Sequence, residues 1–256
     1  MSEVSRPKRR GPPPRPRIQA ESDQPLVLAI DTSGPMEAIV LLQGALVLAD
    51  QRMRRPRRRG TALGVAIRDL LAAVDRTPGD LAAIAVVTGP GAFTSLRVGV
   101  ATAHGLARAT GAPLYGYDAT AAYACGVTAG AGRVGVLLDA RRDEVYTAIF
   151  EPRTADELPA ATRTLRLERP QDFIDAAAGS GPLLLVGDGA RLYGQLLTDG
   201  LADARVGHLE PTGPALAAIA QHAGRRQQAG EAGPAPSVQP LYLRDHDAAK
   251  RDPKPC

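Results

Sequence analysis

Short apolar runs alternate along the chain with glycine-marked turns, and this rhythm predicts strands first. Leu26 to Ile30 form an apolar run ending at Asp31, the pattern of a buried strand whose C-terminal end presents a carboxylate. MEAIVLLQ and ALVLADQ follow, separated by Gly44, so the first three strands read as an antiparallel meander with tight turns. From Thr61 to Val74 the period changes, and Leu63, Ile67, Leu70, Leu71 and Val74 share one helical face. Only Arg68 and Asp69 interrupt the remaining apolar or small surface, so this helix is expected to be buried on two sides. LAAIAVV, a Gly-Pro-Gly turn and a helix from Thr94 to Ala109 come next, with Thr94 or Ser95 as the expected cap. Gly99, Ala101, Ala103 and Gly105 keep that helix slim enough for close backbone approach.

The second half reuses the plan. APLYGYD reads as a strand, DATAAYACG as a short helix, and GRVGVLLDARRDEVYTAIFE as two strands joined by a turn at Arg141 to Asp143. A less regular stretch leads to the helix PQDFIDAAAG. PLLLVGDGARLYGQLL repeats the order strand, glycine turn, helix, and ALAAIAQHAGRRQQ is a last helix. The order β-β-β-α-β-α followed by a similar set predicts two related α/β units. They are expected at 26–110 and 111–230, after a basic Pro-rich arm (1–25) and before a C-terminal tail (231–256).

A chain of 256 residues with 44% hydrophobic positions can bury such a core without disulfide or metal staples. Its net charge of +4 is unevenly spread. The arm (RPKRRGPPPRPR and its flanks) is net +3, RMRRPRRR at 52–59 adds six arginines, and the remainder is therefore −5. Basicity thus belongs to an arm and one loop, where phosphate neutralisation would give salt-sensitive, sequence-tolerant RNA contacts or simply a solvated surface. Two cysteines, one of them the last residue, build neither a disulfide framework nor a zinc site, which fits a reduced, cytoplasmic setting. No apolar run approaches the ~20 residues of a membrane helix.

Several chemistries are excluded by pattern. There is no G-x-x-x-x-G-K-[ST] and no G-x-S-x-G. Gly187-Asp188-Gly189 opens a helix after a strand, but Leu192 stands where a dinucleotide fingerprint needs its third glycine, so a glycine turn is the simpler reading. The four histidines form no H-E-x-x-H or other close pair, and no metal site is expected. Three features remain. Asp31-Thr32-Ser33 ends the first strand; GPGAFTSLR (89–97) joins a glycine turn to a helix N-terminus, which attracts anions; and LDARRDEVY (138–146) packs Asp139, Arg141, Glu144 and Tyr146 into a turn. Singly, each also reads as a strand-end turn, a capped helix or a charged hairpin tip.

Together, and in this order, they resemble a known family. GPGAFTSLRVGVATAHGLA is similar to the G-P-G-S-F-T-G-L-R-[IV]-G segment of the TsaB (YeaZ) family, AIDTS to its opening strand, LDARRDEVY to its L-D-A-R-x-x-E-V-Y turn, and PLYLRDHDAA to its P-x-Y-L-R ending. Two positions of the family loop differ, as Ala92 and Ser95, and the segment before the first helix is RRPRRRGTALG. The resemblance implies an α/β fold of the actin/hexokinase/Hsp70 (ASKHA) type, two ribonuclease H-like units with mixed sheets flanked by helices. It also implies a non-catalytic subunit supporting the TsaD transferase, with TsaE in the complex and tRNA contacted indirectly, in forming threonylcarbamoyladenosine beside the anticodon. No cofactor is then expected on this chain alone, ATP or ADP being left to the interface of the complex.

On this reading the partner surface is expected on the two helices. Leu63, Val65, Ala66, Ile67 and Leu70 would supply the first helix's share, and Val98, Gly99, Ala103 and Leu106 the second's. An obligate contact of that kind buries roughly 2,000 Å² or more, and in isolation the same surface would serve a homodimer. The alternative is a nucleotide-binding enzyme of the same fold, with Asp31, Thr32, Gly89 and Gly91 as phosphate contacts.

Overall fold

The computed structural model describes residues 23–54, 62–127, 132–151, 157–207, 214–233 and 238–243. The basic arm up to residue 22 and positions 55–59 of the arginine loop lie outside the described residues, as does most of the C-terminal tail.

The apolar runs become two five-stranded mixed sheets. In the first, β1 (Leu26–Asp31), β2 (Met36–Gln43) and β3 (Leu46–Arg54) form the expected meander. After α1 (Ala62–Ala72), β4 (Ala83–Gly89) pairs parallel to β1. After α2 (Phe93–Thr110), β5 (Leu114–Asp118) pairs parallel to β4, giving the order β3-β2-β1-β4-β5. The second sheet follows α3 (Ala119–Cys125) and contains β6 (Arg133–Arg141), β7 (Glu144–Glu151), β8 (Ala160–Glu168), β9 (Leu183–Val186) and β10 (Ala204–Val206). Its order, β8-β7-β6-β9-β10, reproduces that of the first sheet strand for strand. α4 (Pro170–Ala177), α5 (Asp188–Leu192), α6 (Gly194–Gly200) and α7 (Pro214–Gln228) complete the chain. This is the two-unit ribonuclease H-like architecture of the ASKHA type.

Alternation along the strands splits the core into three clusters. Leu28, Ile30, Ile39 and Ile84 face α1 and α2; Leu137, Ile149 and Leu185 face Phe173 and Leu197 of the helices beyond the second sheet. Between the sheets, Val27, Val40 and Val87 share one cluster with Val134, Val136 and Phe150, filled by Tyr123 of α3 and Ile219 of α7. α7 packs on β1, β2 and β4. It therefore returns to the first sheet, although it follows the second in sequence.

Four sequence expectations change here. The border at 110/111 cuts through the first sheet, because β5 pairs with β4. β8 occupies the stretch that reads as less regular and β10 one without a sequence reading, β8 being an edge strand with four of its nine positions exposed and none fully buried. The helix expected after Gly187 is two short helices broken at Tyr193. The cap of α2 is Ala92, without a side-chain hydrogen bond; Thr94 and Ser95 already lie inside the helix, and the Ser95 carbonyl accepts the Thr32 hydroxyl at 2.8 Å. No described helix is long and apolar enough to cross a membrane.

Candidate functional site

The C-terminal ends of parallel strands are where an open α/β sheet forms a crevice, and here both sheets contribute to one. A cavity of about 190 Å³ lies between the units, lined by Ser33, Gly91 and Ala92 from the first and Asp139, Arg141, Tyr146 and Asp188 from the second, with Tyr123 of α3. The three segments singled out in the sequence thus converge. A fourth, Gly187-Asp188-Gly189, joins them.

Each segment is fixed by its own main chain. The Asp31 carboxylate is buried and accepts from the Ser33 amide (2.8 Å) and hydroxyl (2.7 Å). Thr32, also buried, donates to Ser95, and a side chain at Gly99 would meet its Oγ1 at 2.3 Å. Close packing of α2 on the β1 end therefore requires Gly99. Gly91 approaches Ser33 so closely that a Cβ would lie 2.4 Å from its carbonyl oxygen, and the Ala92 amide donates to that same oxygen at 3.1 Å. On the opposite wall, Asp139 accepts the Arg141 amide at 2.8 Å and pairs with its guanidinium at 2.9 Å. This holds a hairpin tip whose residues Arg141, Arg142 and Asp143 all have left-handed φ. Asp188 accepts the amides of Asp139 and Gly189, each at 3.0 Å.

The carboxylates of this cleft are therefore engaged by main-chain amides of the turns that line it, and Ser33 donates its hydroxyl to Asp31. Of the anticipated phosphate contacts, only Gly91 lines the cavity. Asp31 and Thr32 are buried in the β1 turn, and Gly89 sits beneath Leu96 and Leu241. Of the LDARRDEVY residues, Asp139, Arg141 and Tyr146 line it and Glu144 does not. Asp188 is missed by the sequence reading, although Gly-Asp-Gly follows LLLV as Gly-Pro-Gly follows AIAVVT; in the structure Gly187 (φ 106) and Gly89 (φ 118), the last residue of β4, both take positive φ. Burial pushes the Cys125 thiol up to about 11, which keeps it protonated at neutral pH. Among the described residues, no three His, Cys, Asp or Glu side chains gather closely enough to hold a metal ion.

The anticipated partner surface is corrected more sharply. Leu63, Ala66, Ile67 and Leu70 are buried against the first sheet, and so are Gly99 and Ala103 of α2. They attach the helices to their own unit and are not available to a partner. α1 is thus buried on one side only. Its outer face carries Gly64, Val65, Arg68, Asp69, Ala72 and Ala73, while α2 exposes Thr94, Arg97, Ala101, Gly105 and Ala109. Val65 is 43% exposed; Val98 and Leu106 are half-buried at the edge of the core.

Comparison with known proteins agrees with the geometry. A family model for TsaD, tRNA N6-adenosine threonylcarbamoyltransferase, matches residues 57–189, just over half of the chain. The tRNA threonylcarbamoyladenosine biosynthesis protein TsaB of Bacillus subtilis is 32% identical over 125 residues, 49% of this chain and 55% of that protein. The chain thus spans about half the length of this curated relative. An uncharacterized protein of Mycobacterium tuberculosis is 33% identical over 227 residues, 87% of this chain and 93% of the relative. The structure of YeaZ from Pseudomonas aeruginosa superposes with a TM-score of 0.70 at 26% identity, covering 86% of this chain and all of that one.

Proposed function

The chain belongs to the TsaB (YeaZ) family, and we propose that it is a non-catalytic subunit in the formation of threonylcarbamoyladenosine in tRNA. In this role it supports a TsaD-type transferase, with TsaE in the same complex and tRNA reached through the assembly. The observation that carries the reading is the state of the cleft. Asp31, Asp139 and Asp188 each hold main-chain amides of the turns that line the cleft through one carboxylate oxygen, so an arriving Mg-phosphate group would compete with the bonds that fix those turns. A cleft so occupied suits a rigid support better than a phosphate-handling enzyme.

The docking face is the outer side of α1 and α2. Gly64, Ala72, Ala73, Ala101, Gly105 and Ala109 make it flat, which allows helices of a same-fold subunit to approach near the short end of the usual 8–10 Å separation. Related subunits present equivalent helices, so the same face serves a homodimer when the partner is absent. The setting is the cytoplasm, and nucleotide, where it takes part, sits at the interface of the complex.

The test is co-elution with the TsaD-type subunit. Val65→Asp and Ala101→Glu place charges on the outer face without touching the core, and both are expected to dissociate the complex while melting stays unchanged. Retention of the complex by both variants refutes the docking face. Calorimetry with ATP on the isolated chain separates the enzyme alternative, since tight binding with turnover overturns the supporting role. Removal of residues 1–24, followed by tRNA titration at two salt concentrations, tests the arm; an unchanged curve eliminates it as an RNA contact.

A further inference from the structure

The segment Val238–Leu243, which carries the start of the PLYLR ending, lines neither the cleft nor the outer faces of α1 and α2, although it runs along the same helical layer. Val238 is buried between α2 and β5, where its carbonyl oxygen lies 2.7 Å from His104 Nε2 and its side chain covers Gly116. The segment then crosses to the end of β4, where the Leu241 amide donates to the Thr88 carbonyl at 2.8 Å. It ends on the first turns of α2. There the Tyr242 ring lies 4.8 Å from that of Phe93, Arg97 Nε donates to the Tyr242 hydroxyl at 3.0 Å, and the Arg97 guanidinium stacks on Phe93 at 3.8 Å.

This strap is tied down yet leaves its large side chains outside. Phe93, Leu241, Tyr242 and Leu243 are each 36–38% exposed. They form a contiguous apolar patch at the end of α2, and such clusters mark interaction sites more often than scattered surface leucines do. Tyr and Arg are also the residue types enriched at binding hot spots. Because the stack is preformed, little rotamer freedom remains to be lost when a partner covers it.

Size points to what covers the patch. α1 and α2 have 11 and 18 residues, so they are about 17 and 27 Å long. At about 10 Å width each, their joint footprint is about 440 Å². A stable interface takes about 600–1,000 Å² from each partner, and the two helices fall short of it. Six extended residues add about 20 Å of length and about 200 Å² of footprint, which brings the layer of α1, α2 and strap into that range. The threonylcarbamoyltransferase model matches both helices but ends well before the strap. A same-fold subunit can thus mirror α1 and α2.

Resting on the docking face proposed above, we propose that Val238–Leu243 is the third ribbon of that face. Phe93, Arg97 and Tyr242 are its anchor, and its occupant is the TsaD-type subunit. The experiment measures affinity of the full chain for that subunit by calorimetry, with sedimentation to follow self-association and a thermal melt for every variant. Tyr242→Ala and Leu243→Asp should each weaken the heterodimer at least ~10-fold, and Tyr242→Phe only a few-fold. Leu243→Asp stands clear of the core and carries the test should Tyr242→Ala fail to fold. If Val65→Asp dissociates the complex and Leu243→Asp does not weaken it, the strap is overturned and the helical face stands. If neither does, the face itself is wrong and the strap falls with it. If the strap variants alter self-association alone, the occupant is a second copy and the proposal is likewise overturned.

Discussion

Ile67 and Val65 sit two residues apart on α1 and should behave as opposites. Ile67 is 2% exposed and packs into the cluster containing Leu28, Ile39 and Ile84, whereas Val65 faces outward. Ile67→Ala removes three carbons, about 2.4 kcal/mol of transfer at ~0.8 per methylene. The cavity adds a further ~1 kcal/mol, because sheet and helix relax only in part. A loss of about 3.5 kcal/mol in an ordered body of this size lowers Tm by about 7–14 °C. Val65→Asp changes an exposed site, where effects stay within ~0.5 kcal/mol and Tm moves by about 2 °C at most. The assay is a thermal melt of each isolated variant beside co-elution with the transferase-type subunit. Ile67→Ala should melt early yet retain the partner at temperatures where it is folded, and Val65→Asp should melt normally and lose it. The reasoning is refuted if Ile67→Ala melts like the parent while abolishing the complex, since α1 would then present its apolar stripe outward.

Three further outcomes follow from the cleft and the layer between the sheets. Gly91→Ala places a Cβ 2.4 Å from the Ser33 carbonyl oxygen and 2.8 Å from its Cα; neither backbone can retreat cheaply, so urea unfolding should show a loss of about 2 kcal/mol or more, and an unchanged midpoint would mean that the turn is loosely packed. Asp188→Ala should cost about 1–3 kcal/mol in the same assay by stranding the amides of Asp139 and Gly189, whereas Asp188→Asn keeps an acceptor and most of the stability; equal losses in both variants would show that these bonds contribute little. His222 lies 3.0 Å from the Tyr117 hydroxyl, and burial, with Arg226 and Arg225 beside it, lowers its pKa below the ordinary value of 6.5. Its contribution is therefore complete above pH 6.5 and is lost as pH falls towards the folded-state value; between pH 7 and 5 the parent should lose stability faster than His222→Gln, and parallel curves would remove His222 from the account.

What could be read from the chain alone divides along a physical line. Strand–turn–helix units were legible because each carries its signal locally: an apolar run, a glycine that permits positive φ as at Gly89 and Gly187, then helical periodicity. β8 was not, since an edge strand without a fully buried position carries polar residues along its length, and AATRTLRLE owes its place to pairing with β7. The orientation of α1 was misread for a related reason. Gly64, Ala72 and Ala73 are small enough to look apolar beside Leu63 and Ile67, so a periodic pattern alone gives two candidate faces. Only the neighbouring sheet decides between them. The site shows the converse: its three motifs lie more than a hundred residues apart from first to last, yet they meet because β1 and β6 occupy equivalent places in two sheets of one topology. Once that repeat is recognised, Gly187-Asp188-Gly189 must stand opposite Gly89-Pro90-Gly91, and Asp188 follows as the group that closes the second wall. The repeat therefore carries more information about the cleft than any single motif, since it specifies a partner position for every turn that reaches it.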